Sequence, residues 1–112
     1  MNNNYPQSRA DAIAKLGNRS RRVLGNNTTL ETDWQNDPCV VLHSTRIATY
    51  TDAGLRVNSG GWWTSTTKDR LNKALAAAGL PYRVCQESYN WYIWNIETGE
   101  KAPFRDGTTL TA

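Results

Sequence analysis

The run Asn58-Ser59-Gly60-Gly61-Trp62-Trp63-Thr64-Ser65-Thr66-Thr67-Lys68-Asp69-Arg70 gathers residue types from which a binding site can be built. Gly60 and Gly61 let backbone N–H groups approach a ligand without Cβ obstruction, and a helix starting at Thr66 would add unpaired N–H donors with partial positive charge. Hydroxyls of Thr64, Ser65 and Thr67, with the charges of Lys68 and Arg70, complete a set that suits a phosphate. The run is neither a Walker A loop nor the spaced glycines of a dinucleotide fold. A tight turn and a hydroxyl-capped helix start explain the same residues more simply. Trp62 and Trp63 are adjacent, so an extended backbone sends their rings to opposite faces. One ring can then enter the core while the other stacks on a base or takes a cation. The candidate ligand-binding residues are therefore Gly60, Gly61, Trp62, Trp63, Thr66, Thr67, Lys68 and Arg70.

Other reactive residues carry less. His43 stands alone, without a carboxylate partner at a readable spacing, so a polar sheet-edge histidine is expected in place of a catalytic base. Cys39 and Cys85 show no CxxC spacing; reduced, partly buried thiols are expected, and a disulfide between neighbouring strands is the alternative. The carboxylates are dispersed, and no metal or cofactor is expected. Arg19, Arg21 and Arg22 form the densest basic segment, and with Arg46 and Lys73 they are candidate nucleic-acid contacts if they share a face.

The elements that must position these groups can be read from local pattern. Ser8-Arg9-Ala10-Asp11 opens a short helix with Ile13 and Leu16 as its apolar stripe and Gly17 as its stop. Residues 18–27 are polar and turn-prone, and a loosely ordered basic arm is expected there. From Thr28 the texture is β: Thr28 to Trp34, Cys39 to His43, Arg46 to Thr51 and Leu55 to Asn58, with connections short enough to require antiparallel pairing. Thr66 to Ala78 reads as the main helix, with a Thr66/Asp69 capping pair and Leu71, Ala74, Leu75 and Ala78 on one face. Tyr82 to Glu87 and Tyr89 to Ile96 form an aromatic hairpin whose second strand bears aromatics on both faces, and Thr108 to Thr111 adds a last strand. The expectation is an α+β fold: one curved antiparallel sheet, meander plus aromatic hairpin, on one main helix. Residues 1–112 form a single domain, 1–27 being the short helix and arm and 28–112 the core.

The chain has 112 residues, five Trp and five Tyr, and a net charge of +3. That size supports one core, aromatic-rich because each large ring buries on the order of 150–250 Å². The charge favours an anionic partner without proving one. No apolar run reaches the roughly 18 residues of a membrane span, and Met1 to Tyr5 lacks the basic and apolar regions of a signal peptide. A soluble, intracellular protein without a membrane partner is expected.

The combination Leu42-His43-Ser44-Thr45-Arg46-Ile47, Asn58-Ser59-Gly60-Gly61-Trp62 and Thr66-Thr67-Lys68-Asp69-Arg70-Leu71-Asn72, with Leu16-Gly17-Asn18-Arg19, Gly25-Asn26-Asn27-Thr28 and Pro103-Phe104-Arg105-Asp106-Gly107, resembles a widespread group of small uncharacterised bacteriophage proteins. Trp63 departs from that group, in which a basic or polar residue is expected. The resemblance implies a viral origin and a host-cytoplasm setting. The leading expectation is a non-enzymatic accessory protein that binds nucleic acid or a nucleotide through an aromatic and basic surface. A protein-protein inhibitor of a host defence or metabolic enzyme is the alternative, and a minor virion component a further one. A homodimer through an exposed aromatic strand fits each.

Overall fold

A computed structural model describes residues 4–111. Residues 1–3 and 112, which take in the first three residues of the segment read against a signal peptide and the ends of the expected single domain, lie outside the described residues. The architecture is α+β, as expected. Two helices combine with a six-stranded sheet ordered β1-β2-β3-β4-β5-β9 and a three-stranded sheet ordered β6-β7-β8, so the meander and the aromatic hairpin occupy separate sheets.

Helix α1 (Arg9–Leu16) begins where Ser8 accepts the Asp11 N–H at 3.0 Å, while the Asp11 carboxylate takes the Gln7 N–H at 2.9 Å. Its buried pair is Ala12 and Leu16, one turn apart; Ile13, expected in the apolar stripe, lies about 100° round the helix and is exposed. The expected loose arm is corrected by strand β1 (Arg21–Gly25), paired antiparallel with β2 (Thr28–Thr32). Asn26-Asn27 makes the connecting turn, with Asn27 at φ 54°, and Leu24 is buried. Arg22 donates to the Lys15 carbonyl at 3.3 Å, so the arginine-rich segment is tied to α1.

Strand β3 (Pro38–Leu42) is buried along its length and pairs with β4 (Thr45–Thr51), which pairs with β5 (Gly54–Val57). Trp34, expected at the end of a strand, sits instead on the β2–β3 loop. There the buried Asp33 carboxylate takes the Gln35 and Asp37 N–H groups, each at 2.9 Å, and bends the chain away from the sheet. Leu24, Leu30, Val40, Leu55 and Leu110 share the inner face of the large sheet, against which both helices pack.

The main helix α2 (Ser65–Ala77) buries Thr67, Leu71, Ala74 and Leu75. Its N-cap is Thr64, whose hydroxyl accepts the Thr67 N–H at 3.2 Å, so the expected Thr66/Asp69 capping pair does not form. Asp69 pairs instead with Arg70 and Lys73. On its far side α2 meets β6 (Tyr82–Glu87), which pairs with β7 (Asn90–Asn95), and β7 with β8 (Lys101–Pro103). The Asn72 amide both donates to the Val84 carbonyl at 3.0 Å and accepts the Val84 N–H at 2.7 Å, acting as a surrogate strand along the outer edge of β6. Ser88 and Tyr89 form the β6–β7 turn, both at positive φ, so Tyr89 lies outside the strand expected for it. Strand β9 (Thr108–Leu110) closes the large sheet beside β5.

Candidate functional site at the strand-to-helix junction

Asn58 to Thr64 link β5 to α2, and the N–H groups of Asn58 to Trp62 and of Thr64 are engaged within the protein. Asn58 Oδ1 accepts the Gly60 N–H at 2.8 Å, Ser59 Oγ accepts the Gly61 N–H at 3.1 Å, and the Ser59 carbonyl accepts the Trp62 N–H at 3.0 Å. Ser59 is fully buried; its N–H and hydroxyl both donate to Asp106, at 2.7 and 3.2 Å, which pins the loop to the segment before β9. The glycine amides therefore hold a turn and do not form a phosphate cradle. Gly60 and Gly61 sit at φ 62° and 82°, and Gly60 is so close to Thr45 that a Cβ would overlap its methyl group.

The two indoles diverge, as adjacent residues must, yet neither enters the core. Trp62 is 59% exposed and Trp63 is 52% exposed. Trp62 walls a cavity of about 260 Å³ over Leu42 and Ile47, with His43, Thr45, Thr64, Thr66 and Thr67 completing the lining. Trp63 turns the other way and meets Trp91 and Phe104 edge to face, with centroids 4.9 and 5.9 Å apart. Lys68 stands 5.6 Å over the Trp91 ring and donates to Gln86 at 2.8 Å. Arg70 reaches the opposite side of α2, donating to the Thr28 hydroxyl at 3.1 Å and pairing with Asp69. The eight candidate residues thus separate: Trp62, Thr66 and Thr67 line the cavity, Gly60 and Gly61 shape its loop, and Trp63, Lys68 and Arg70 point elsewhere.

The basic candidates separate too. Arg21 and Arg46 lie on the outer face of the large sheet, lining a broader depression of about 560 Å³ with Val23, Thr29, Glu31 and Val41. Arg56, paired with Thr49, shares that outer face. Arg22 faces α1, Arg19 lies on the α1–β1 connection, and Lys73 pairs with Asp69 at 3.3 Å on α2. His43 lines both the Trp62 cavity and the arginine-bearing depression, because the two-residue His43-Ser44 turn, at φ 58° and 123°, projects between them. Thr64, whose hydroxyl was in the phosphate-suited set, lines the cavity, whereas His43 and Thr45 were missed as site residues; the two-residue gap between Leu42 and Thr45 was the available signal for a hairpin there.

Both cysteines are free, Cys39 fully buried on β3 and Cys85 half-buried on β6. Burial pushes the Cys39 thiol up to about 11 despite nearby Arg46, which marks an inert side chain and not a nucleophile. Among the described residues no group of three or more His, Cys, Asp or Glu could hold a metal ion, and no helix is long and apolar enough to cross a membrane.

Comparison with curated proteins and with solved structures found no match. Residues 6–111 match the family described as Kyanoviridae Gp96 protein, nearly the whole of the described chain. The bacteriophage origin implied by the motifs thus becomes a family assignment: this chain belongs to the Kyanoviridae Gp96 proteins, a family of small phage proteins.

Proposed function

We propose that this phage protein is a non-enzymatic accessory protein of the host cytoplasm that binds nucleic acid, seating a base against Trp62 and running the adjoining phosphates over Arg21 and Arg46. The observation that carries the reading is that the two surfaces meet at His43, which lines both. A cavity of about 260 Å³ lies just below the roughly 300–1,000 Å³ of small-molecule sites, which suits one base better than a whole nucleotide. The phosphates then fall outside it, where the guanidiniums are.

A fluorescence titration with oligonucleotides, and with free nucleotides as a separate arm, tests this across a salt series. Binding should weaken linearly in log-log form as salt rises, with a slope that falls by about 0.7 per arginine removed for a single strand. Trp62→Ala should weaken binding about 5- to 150-fold, the equivalent of roughly 1–3 kcal/mol of stacking. Absence of binding and of any thermal stabilisation at low salt, for every oligonucleotide and nucleotide tried, refutes the proposal.

A second reading, inhibition of a host defence or metabolic enzyme, draws on Trp34, which is 84% exposed on a loop already ordered by Asp33. An aromatic anchor held in place before binding is the usual make-up of an interface hot spot. Recovery of one stoichiometric host protein by the wild type and not by Trp34→Ala supports it; recovery of none counts against it.

A further inference from the structure

The outer face of the small sheet brings aromatic rings and cations together a second time. On β7 the buried Trp91 and Ile93 face the core, so Tyr92 and Trp94 face outward, Tyr92 half-buried and Trp94 37% exposed. Strand pairing puts Arg83 and Lys101 on either side of Trp94 in one cross-strand row, and Cys85 and Pro103 on either side of Tyr92 in the next. The aromatic pair therefore lies on the central strand, flanked by one cation from each neighbour.

The spacing of the rings selects a ligand. Two residues along a strand advance about 6.8 Å. That is about twice the 3.4 Å between successive charges along one strand of B-form DNA. A stacked duplex offers no free base faces at such an interval. A single strand, whose bases can be splayed apart, offers one base to each ring. We infer that this face is a stacking platform for single-stranded nucleic acid, with successive bases on Tyr92 and Trp94 and the intervening backbone beside Lys101 and Arg83. The inference rests on the nucleic-acid reading above and adds a second contact surface to it.

The charges permit the contact. Lys101 reaches across to Glu87 in an exposed ion pair, and an exposed pair stabilises by only about 0–1 kcal/mol, so exchange of the carboxylate for a phosphate costs little. One guanidinium nitrogen of Arg83 donates to the Leu80 and Tyr82 carbonyls, at 2.9 and 2.5 Å, which orders the planar group before any ligand arrives.

Cys85 supplies a reporter on the platform itself, because it sits opposite Tyr92 and is half-buried, whereas Cys39 is fully buried. The rate of iodoacetamide modification at Cys85 is measured by mass spectrometry in the native protein, alone, with a saturating single-stranded oligonucleotide, and with a duplex of the same sequence. The expected result is slowing of about tenfold or more by the single strand and little by the duplex. Tyr92→Ala and Trp94→Ala should each weaken binding about 5- to 150-fold, and Trp94→Phe should retain most of it. An oligonucleotide that binds with Trp62-dependent quenching while Cys85 reacts at its unliganded rate overturns the platform and leaves the function standing. Absence of any oligonucleotide binding overturns both. Protection of Cys85 that grows with protein concentration alone assigns the face to self-association and overturns the inference.

Discussion

Gly60→Ala should cost far more than Gly61→Ala, although the two glycines are adjacent and both have positive φ. An L-residue in the left-handed region costs roughly 1–2 kcal/mol, which is the whole expected effect at Gly61, where an added Cβ meets open space. At Gly60 the added Cβ overlaps the Thr45 methyl group, and Thr45 opens β4, one of the strands that build the sheet. Overpacking of that kind adds about 1–3 kcal/mol, for a total of about 2–5 kcal/mol. Thr45→Ser removes the obstructing methyl at a cost of about 0.8 kcal/mol, the value of one buried methylene. Gly60→Ala combined with Thr45→Ser should therefore be more stable than the sum of the single changes by about 1–2 kcal/mol in a double-mutant cycle. Urea unfolding followed by tryptophan fluorescence gives all four values. If Gly60→Ala lies within about 0.5 kcal/mol of Gly61→Ala, or if the double mutant is additive, close approach of the loop to β4 is not what the glycine provides. Because Thr45 and Trp62 line the same cavity, the same variants should also weaken whatever occupies it.

Asp106→Ala removes the acceptor of two Ser59 groups and should destabilise by about 2–4 kcal/mol in urea titration, with Asp106→Asn costing less because one oxygen still accepts the Ser59 N–H. Asn72→Ala leaves both backbone groups of Val84 without their side-chain partner; a loss of about 2–4 kcal/mol is expected, with faster amide exchange at Val84 as the local readout. Burial raises the Cys39 thiol from its ordinary 9.0 to about 11, and the Tyr5 phenol from 10.0 to about 12. The unfolded chain loses those protons first, so stability is complete below about pH 9 and falls as pH rises through 11. The urea midpoint measured against pH should show this decline, and Cys39→Ala should flatten its first part.

Much of the scaffold follows from local rules that survive folding. Ser8 and Gly17 bracket α1 because a cap hydroxyl and a left-handed stop act within a few residues, and the apolar repeat of Leu71, Ala74 and Leu75 marks the buried side of α2 for the same reason. Strand β1 was hidden because two arginines open it, a glycine ends it and its stability comes from pairing with β2 and from Leu24 beneath, neither of which is a local property. Separation of the hairpin from the meander depends on α2 lying between them, a tertiary matter. One feature of the site was legible and was not used. Lys68 and Arg70 are two positions apart on a helix, about 200° around its axis, so they cannot serve one small ligand. The division of Trp62 from Trp63 follows from strand parity, but the cavity beside Trp62 depends on the His43-Ser44 turn, which is distant in sequence.

Strands β1 to β5 each join their neighbour in chain order, whereas β9 reaches β5 only after residues 58–107 have been laid down. Helix α2 and the small sheet are thus an insertion between two adjacent strands. Its neck is clasped by Ser59 against Asp106 and by the Gly107 N–H on the Val57 carbonyl at 2.8 Å. Closing a flexible loop of that length costs roughly 2 kcal/mol more than closing a four-residue hairpin. Prior collapse of the insertion around Leu71, Leu75 and Trp91 brings its two ends together and removes most of that penalty. The topology thus leads us to expect that β9 pairs only after the insertion has closed, so Leu110→Ala should speed unfolding and leave the refolding rate nearly unchanged in stopped-flow measurements. A bound strand that gripped both would act as a splint across that neck.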